Sequence, residues 1–181
     1  MSIWLKINTV IAALFIVPSL FAQTGTPLIA NFKESEQIEN QNWAVCQNDQ
    51  NEMLFANPRG LLSFDGQSWK IINTPIIPFA LAKNPYDELV YFGGNADFGY
   101  LNRDSKGFYQ YKSLSEISGD TTIITNIHFT DSSIYFYGPE AIYLFNSDNH
   151  SKLYEWRSEA NYPFTGMVFA DKDIFIKRSM K

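Results

Sequence analysis

Short apolar runs alternate with turn-forming residues along most of the chain, and one two-strand pattern occurs four times. Leu54, Val90, Ile134 and Ile174 hold equivalent positions in the four copies, at steps of 36, 44 and 40 residues. A period of about 40–45 residues with several short strands per unit is typical of β-propeller blades. The pattern therefore predicts a repeated all-β fold. The copies read MLFAN with GLLSF, LVYFGG with FGYL, IYFYGPE with AIYLF, and IFIK.

Four strands are predicted in each complete unit. In the first unit, WAVC, MLFAN, GLLSF and SWKII are separated by polar turns, of which Asp65-Gly66 gives the strongest turn signal. The second and third units repeat this order, and the fourth contains GMVFA and IFIK. We expect a partial β-propeller of about three and a half four-stranded antiparallel blades in an open ring. The predicted blades are 43–77, 78–120, 121–160 and, in part, 161–181.

The distribution of polar residues within the units favours a propeller over a two-sheet sandwich, which is the competing fold. Inner strands of a blade lie between neighbouring blades and read as continuous apolar runs, as VYF and IYF do. Outer strands such as FYQYK and KLYEW alternate polar and apolar positions. An open ring leaves two apolar faces uncovered, so we expect the chain to be the first part of a longer protein.

The N-terminus has the composition of a secretory signal peptide. Residues 1–22 contain Lys6, then an apolar stretch of about a dozen residues, which is short for a membrane span. An uncleaved N-terminal anchor and a buried core helix are the alternatives. Residues 23–42 form a polar lead-in, in which Thr26 to Phe32 can make a single strand. The mature protein is therefore expected to be exported.

Charge and cysteine content exclude some classes of partner. The formal net charge is −5, so there is no basic surface for nucleic acid through this segment. The one cysteine, Cys46, permits no internal disulfide, and its place in WAVC suits a small buried side chain.

No motif for catalysis, metal binding or a cofactor is present. His128 lies in a strand and is expected on a sheet face, whereas His150 lies in a turn and is expected in solvent. The chain is therefore predicted not to be an enzyme. Ligand-binding candidates come instead from matching loops between second and third strands, which share one end of a propeller. These candidates are Arg59, Asn95, Asp97 and Glu140.

Three segments together resemble the start of periplasmic sensor proteins of Gram-negative bacteria. ENQNWAVCQ, the stretch from Leu54 to Ile72, and YFGGNADFGYL are similar to two-component-regulator propeller proteins, also called three-Y-domain proteins. In that family an apolar-aromatic strand is followed by Gly-Leu and then by an Asp-Gly turn. Gly60-Leu61 and Asp65-Gly66 match this pattern in the first unit. The second unit matches only through Gly99-Tyr100-Leu101, and the third has Ala141-Ile142 without the glycine.

The resemblance implies a non-catalytic, periplasmic, ligand-sensing ectodomain of a signal-transduction or transcription regulator. Its expected ligand is a glycan or another small polar molecule. In that family further blades, a β-sandwich, a membrane helix and a histidine kinase or helix-turn-helix domain follow, and full-length relatives are dimeric and membrane-spanning. Two alternative hypotheses remain open. One is part of an exported propeller enzyme acting on polysaccharide, and the other is a secreted interaction scaffold.

Overall fold

The computed structural model describes residues 39–115, 122–170 and 173–180. The predicted signal peptide and the lead-in as far as residue 38 lie outside these ranges. All fourteen predicted strand runs form strands, arranged in four antiparallel sheets. The strands are β1 (Ala44–Gln47), β2 (Met53–Asn57), β3 (Gly60–Phe64), β4 (Trp69–Ile72), β5 (Pro78–Lys83), β6 (Val90–Gly94), β7 (Phe98–Arg103), β8 (Tyr109–Ser113), β9 (Asn126–Phe129), β10 (Ser133–Tyr137), β11 (Ala141–Asn146), β12 (Lys152–Arg157), β13 (Phe164–Ala170) and β14 (Asp173–Arg178).

Each sheet is a simple meander in which neighbours in sequence are neighbours in space. Sheet 1 has the order β1-β2-β3-β4, sheet 2 has β5-β6-β7-β8, and sheet 3 has β12-β11-β10-β9. Sheet 4 contains β13 and β14 among the described residues. The predicted turn at Asp65-Gly66 joins β3 to β4. Gly66 has a φ of 92°, and Asp65 Oδ1 accepts hydrogen bonds from the backbone N–H groups of Gln67 and Ser68.

Strand β6, in the middle of sheet 2, is buried on both faces. Val90 and Phe92 of β6 pack in one apolar cluster with Leu54, Ala56 and Leu61 of sheet 1. Tyr91, which lies between them in sequence, points the opposite way because side chains alternate along a strand. It packs in a second cluster with residues of sheet 3. The continuous apolar run VYF is thus explained by a neighbouring sheet on each side.

Sheet 3 repeats this arrangement. Ile134 and Phe136 of β10 face sheet 2, whereas Tyr135 and Tyr137 pack with Phe164 and the apolar side chains of sheet 4. The four sheets therefore pack in series through three apolar clusters, and they do not form the two facing layers of a sandwich.

The first strands of successive sheets approach one another. β1 and β2 contact β5, and β5 and β6 contact β9. The hydrogen bond from Asn95 N–H to the carbonyl of Ile77 is 3.3 Å long and ties the end of β6 to the segment entering β5. Sheets that meet through their first strands leave their fourth strands on the outside. In the part of the chain that the structure describes, no helix is long and apolar enough to cross a bilayer.

Candidate functional site

The four residues predicted as ligand contacts lie at one end of the sheets, which we call the turn end. It carries the β2–β3, β6–β7 and β10–β11 turns. Arg59 is in the first of these turns, Asn95 and Asp97 are in the second, and Glu140 is in the third. The side chains of Arg59, Asn95 and Glu140 are exposed, and that of Asp97 is half-buried.

Asp97 is engaged in hydrogen bonds within its own sheet. Its Oδ1 atom accepts hydrogen bonds of 2.7 Å from the Phe98 N–H and from the Ser113 hydroxyl, and another from the Ser115 hydroxyl. These bonds tie the β6–β7 turn to the end of β8. Asp97 therefore shapes the turn end, whichever groups contact a ligand there.

Asn95 and Glu140 meet around the segment that enters β9. Asn95 forms a β-bridge with Ile123, and the hydroxyl of the adjacent Thr122 donates to Glu140 Oε2 at 3.4 Å. The structure thus brings two turns of successive sheets to one segment. Arg59 occupies the corresponding turn of sheet 1, and its backbone N–H donates to Asn57 Oδ1 at 3.0 Å.

A groove of about 540 Å³ opens at the turn end between the first strands of sheets 3 and 4. We call it the β9–β13 groove. This volume is within the usual range for small-molecule sites. Polar groups and aromatic rings are mixed along its walls. The lining residues are Thr125, Asn126, Ile127, His128, Tyr137, Pro139, Phe164, Thr165, Gly166, Met167 and Phe169.

The turn that carries Glu140 forms one rim of this groove. Pro139 lines the groove and its carbonyl accepts a 2.8 Å hydrogen bond from Phe164 N–H of β13. Beside this turn, on β9 of the same sheet, the Asn126 side chain is exposed and its amide donates to the Thr125 hydroxyl at 3.1 Å. An amide, two threonine hydroxyls and a nearby carboxylate are therefore available to a bound molecule.

His128 lies on a sheet face, as its strand position predicted, and lines the groove between sheets 3 and 4. Its ring stacks on Phe169 of β13, with ring centroids 3.5 Å apart and planes 12° from parallel. Burial lowers the pKa of His128, so the imidazole is uncharged at neutral pH. Sequence reasoning did not assign His128 to a groove, because β9 and β13 are brought together only by sheet packing.

A second polar cluster lies at the other end of sheets 2 and 3. The Tyr91 hydroxyl donates to Asp87 Oδ2 at 2.7 Å and is 2.8 Å from His150 Nε2. The His150 ring stacks on Tyr100 at a centroid distance of 4.5 Å. His150 was predicted to face solvent, but its side chain is half-buried, because its ring packs against these two tyrosines of sheet 2.

The Asp87–Tyr91–His150 cluster joins sheets, and its chemistry does not suit a catalytic base. Burial and the hydrogen bond to Asp87 raise the pKa of Tyr91 far above its ordinary value, so the phenol keeps its proton. Cys46 is likewise unreactive, because burial raises its pKa to about 12. Among the described residues, no three His, Cys, Asp or Glu side chains converge in a way that could hold a metal ion.

The lowered pKa values of the two histidines predict that the folded protein loses stability in mild acid. Burial lowers the pKa of both His128 and His150 in the folded chain, and Asp87 opposes the shift at His150. Below about pH 6.5 the unfolded chain therefore takes up protons that the folded chain does not, until the lower folded-state pKa is reached. The free energy of unfolding should therefore fall as the pH is lowered from 7.5 to 5.5.

Urea unfolding at the two pH values tests this prediction, with His150→Asn as the variant. Asparagine is suitable because His150 has a φ of 54°, a left-handed conformation that asparagine tolerates. The variant should show a smaller pH dependence than the wild type. If neither His150→Asn nor His128→Asn changes the pH dependence of stability, the two histidines are not its cause.

A polar network links sheets 1 and 2 near the same end. Glu52 Oε2 accepts hydrogen bonds from Arg103 Nη2 at 2.7 Å and from the Tyr109 hydroxyl at 2.6 Å. Burial would raise the pKa of Glu52, but the hydrogen bonds from Tyr109, Asn48 and Arg103 lower it overall. These side chains satisfy one another's hydrogen-bonding groups, so the network stabilises the packing of sheet 1 against sheet 2.

No protein-family model matches this sequence, and no curated protein matches it. The similarity to two-component-regulator propellers therefore depends on the segments given above.

Proposed function

We propose that the chain is a non-catalytic binding module built as part of a β-propeller. The proposal is supported by four antiparallel sheets that pack in series, of which sheets 1, 2 and 3 meet through their first strands. The runs VYF and IYF, buried on both faces, fit blades that lie between neighbours. A propeller of this kind presents its ligand at the end that carries the loops between second and third strands.

The β9–β13 groove is the main structural support for a binding function. It opens at the turn end, and its walls combine an exposed amide, hydroxyl groups and aromatic rings. Sugars present hydroxyl groups at their edges and apolar C–H faces, so this mixture fits a glycan of one to three residues. Asn126 and Glu140 are the proposed hydrogen-bonding contacts, and the His128–Phe169 stack is the proposed apolar floor.

Calorimetric titration with a panel of neutral and acidic oligosaccharides tests this function. We expect binding by at least one member, weakened about fivefold to tenfold by Asn126→Ala, which removes a hydrogen bond, and by Glu140→Gln, which removes the charge that strengthens one. Asn102→Ala is the matched control, because Asn102 is exposed on β7 away from the groove. Its affinity should equal that of the wild type.

Two results would contradict the proposal. One is the absence of binding to every oligosaccharide, and the other is equal binding by Asn126→Ala, Glu140→Gln and the wild type. The alternative hypothesis, an enzyme that cleaves polysaccharide, is tested by incubating the same panel with the protein and measuring new reducing ends. Cleavage would contradict a purely binding role.

We further propose that the protein is exported to the periplasm and contributes ligand detection to a signal-transduction or transcription regulator. The basic-apolar order of residues 1–22 and the resemblance of the strand segments support this proposal. Fusing residues 1–38 to alkaline phosphatase without its own leader should give enzyme activity in intact Gram-negative cells. An inactive fusion that accumulates in the cytoplasm would count against export.

A further inference from the structure

A groove of about 500 Å³ lies between the outer strands of sheets 1 and 2. We call it the β4–β8 groove. Ser63, Lys70 and Ile72 line it from sheet 1, and Phe108 and Tyr109 line it from sheet 2. The β9–β13 groove is formed by sheets 3 and 4, so the two grooves are separate and can be tested separately.

Several polar groups of the β4–β8 groove already have partners within the chain. Arg103 Nη2 donates to Glu52 Oε2, and Nη1 donates to the carbonyl of Gly107 at 3.0 Å. The Tyr109 hydroxyl donates to the same Glu52 oxygen. The Glu52 carboxylate thus offsets the charge of the Arg103 guanidinium group. These side chains shape the groove, and the groups available to a ligand lie on sheet 1.

The Ser63 hydroxyl is buried in the groove without a partner. Ser63 is 3% exposed, and its side chain makes no hydrogen bond with any residue in the ranges that the structure describes. Leu61, two positions earlier on β3, packs against sheet 2, so Ser63 faces the same way. A buried hydroxyl group without a hydrogen bond costs free energy and is uncommon in native proteins. It therefore indicates a place for a ligand oxygen atom.

Lys70 supplies a positive charge beside this hydroxyl. Ser63 and Lys70 are directly paired across β3 and β4, which places their Cβ atoms about 4.5–5.5 Å apart on the same face. The Lys70 ammonium group is 3.4 Å from Asp65 Oδ2, and the lysine side chain is 64% exposed. An exposed ion pair is weak, so the ammonium group is free to turn towards an anion in the groove.

We propose that the β4–β8 groove binds a small monocarboxylate that carries an apolar, aromatic body. The carboxylate accepts hydrogen bonds from the Ser63 hydroxyl and the Lys70 ammonium group. The apolar body lies against Ile72 and against Phe108, whose ring is exposed at the groove. A single negative charge is favoured because the Glu52 carboxylate, which also lines the groove, repels a second one.

Calorimetric titration with 3-phenylpropionate tests this site. The amide 3-phenylpropionamide has the same shape without the charge and should bind at least about tenfold more weakly. Propionate has the charge without the ring and should also bind at least about tenfold more weakly, because Ile72 and Phe108 stay uncovered. Absence of binding by 3-phenylpropionate, or equal binding by the acid and the amide, overturns the proposal. Tighter binding of inorganic phosphate than of the acid overturns it as well.

Two substitutions locate the bound acid. Lys70→Gln and Ser63→Ala should each weaken the binding of 3-phenylpropionate by about tenfold, since each removes a hydrogen bond to a charged group. Lys112→Gln is the matched control. Lys112 is exposed on β8, and its neighbour Tyr111 packs towards sheet 1, so Lys112 points away from the groove. Wild-type affinity in either groove variant, or a loss in the control, contradicts the proposed contacts.

Urea unfolding of Ser63→Ala separates ligand binding from a structural role of the hydroxyl. Without ligand the variant should be at least as stable as the wild type, because no hydrogen bond within the chain is lost. With 3-phenylpropionate present, the wild type should gain more stability than the variant. A variant that is destabilised without ligand would show that the hydroxyl already has a partner in the folded chain. That result would remove the basis of the proposal.

Discussion

Replacing Phe98 by alanine is expected to lower the free energy of unfolding by about 3–5 kcal/mol, the usual cost of removing a buried phenylalanine. Phe98 is 1% exposed and lies between sheets 2 and 3. Its ring is 4.5 Å from that of Phe136, 5.0 Å from Tyr143 and 5.7 Å from Phe145, measured between centroids. The substitution opens a cavity in an interface that holds two sheets together.

Chemical denaturation followed by tryptophan fluorescence measures this effect. Phe108→Ala is the matched control, because Phe108 is 68% exposed in the β7–β8 turn. The control should change stability by no more than about 0.5 kcal/mol. If the two variants are equally stable, sheets 2 and 3 do not pack through Phe98.

Gly94→Ala is expected to destabilise the chain by at least about 3 kcal/mol, or to prevent folding. Gly94 ends β6, where the segment entering β5 crosses close to it. A Cβ atom at this position would lie 1.9 Å from the carbonyl oxygen of Ile77, which belongs to the backbone and cannot rotate away. Relieving this clash would require β6 to move away from the segment that enters β5. The turn that carries Asn95 follows β6 directly and would move with it.

The matched control is Gly166→Ala on β13. A Cβ atom there would be 3.7 Å from Cβ of Lys177, an ordinary van der Waals contact. This variant should be as stable as the wild type or slightly more stable, since alanine reduces the entropy of the unfolded chain. Thermal unfolding of both variants checks the prediction. A Gly94→Ala protein with a wild-type midpoint would show that the close approach is absent in solution.

The strands were predictable from sequence because their physical cause is local. Apolar runs bounded by Asp-Gly, Asn-Pro and similar turns are confirmed as strands in all fourteen cases. The unbroken apolar character of Val90-Tyr91-Phe92 also predicted burial on both faces, and the structure shows sheet 1 on one side and sheet 3 on the other. Alternation of side chains along a strand is enough to make that inference.

Contacts between distant residues were not predictable in the same way. His150 was expected in solvent because it follows Asn149 in a polar turn, yet it is half-buried against Tyr91 and Tyr100 of another sheet. Asp97 was expected to be available for a ligand, but no sequence signal showed that Ser113 and Ser115 donate to it. Both outcomes depend on which loops face each other once the sheets pack.

The candidate site was predictable only in its location. Matching strand positions placed Asn95 and Glu140 at one end, and the structure has both of them beside the segment entering β9. The β9–β13 groove itself was not foreseen. Its walls come from residues about 40 positions apart, such as His128 and Phe169, and their stacking requires sheet 4 to pack on sheet 3.

The location of the groove and the proposed propeller both require sheets that are close together at their first strands and farther apart at their fourth strands. Pairs of spin labels measure this directly by electron double resonance, in a Cys46→Ala background. One pair is placed at exposed Val45 of β1 and Asn126 of β9, and the other at exposed Lys70 of β4 and Tyr154 of β12. Spreading sheets predict that the fourth-strand distance exceeds the first-strand distance by at least about 10 Å. Equal distances, near about 20 Å as in parallel layers, would contradict the arrangement.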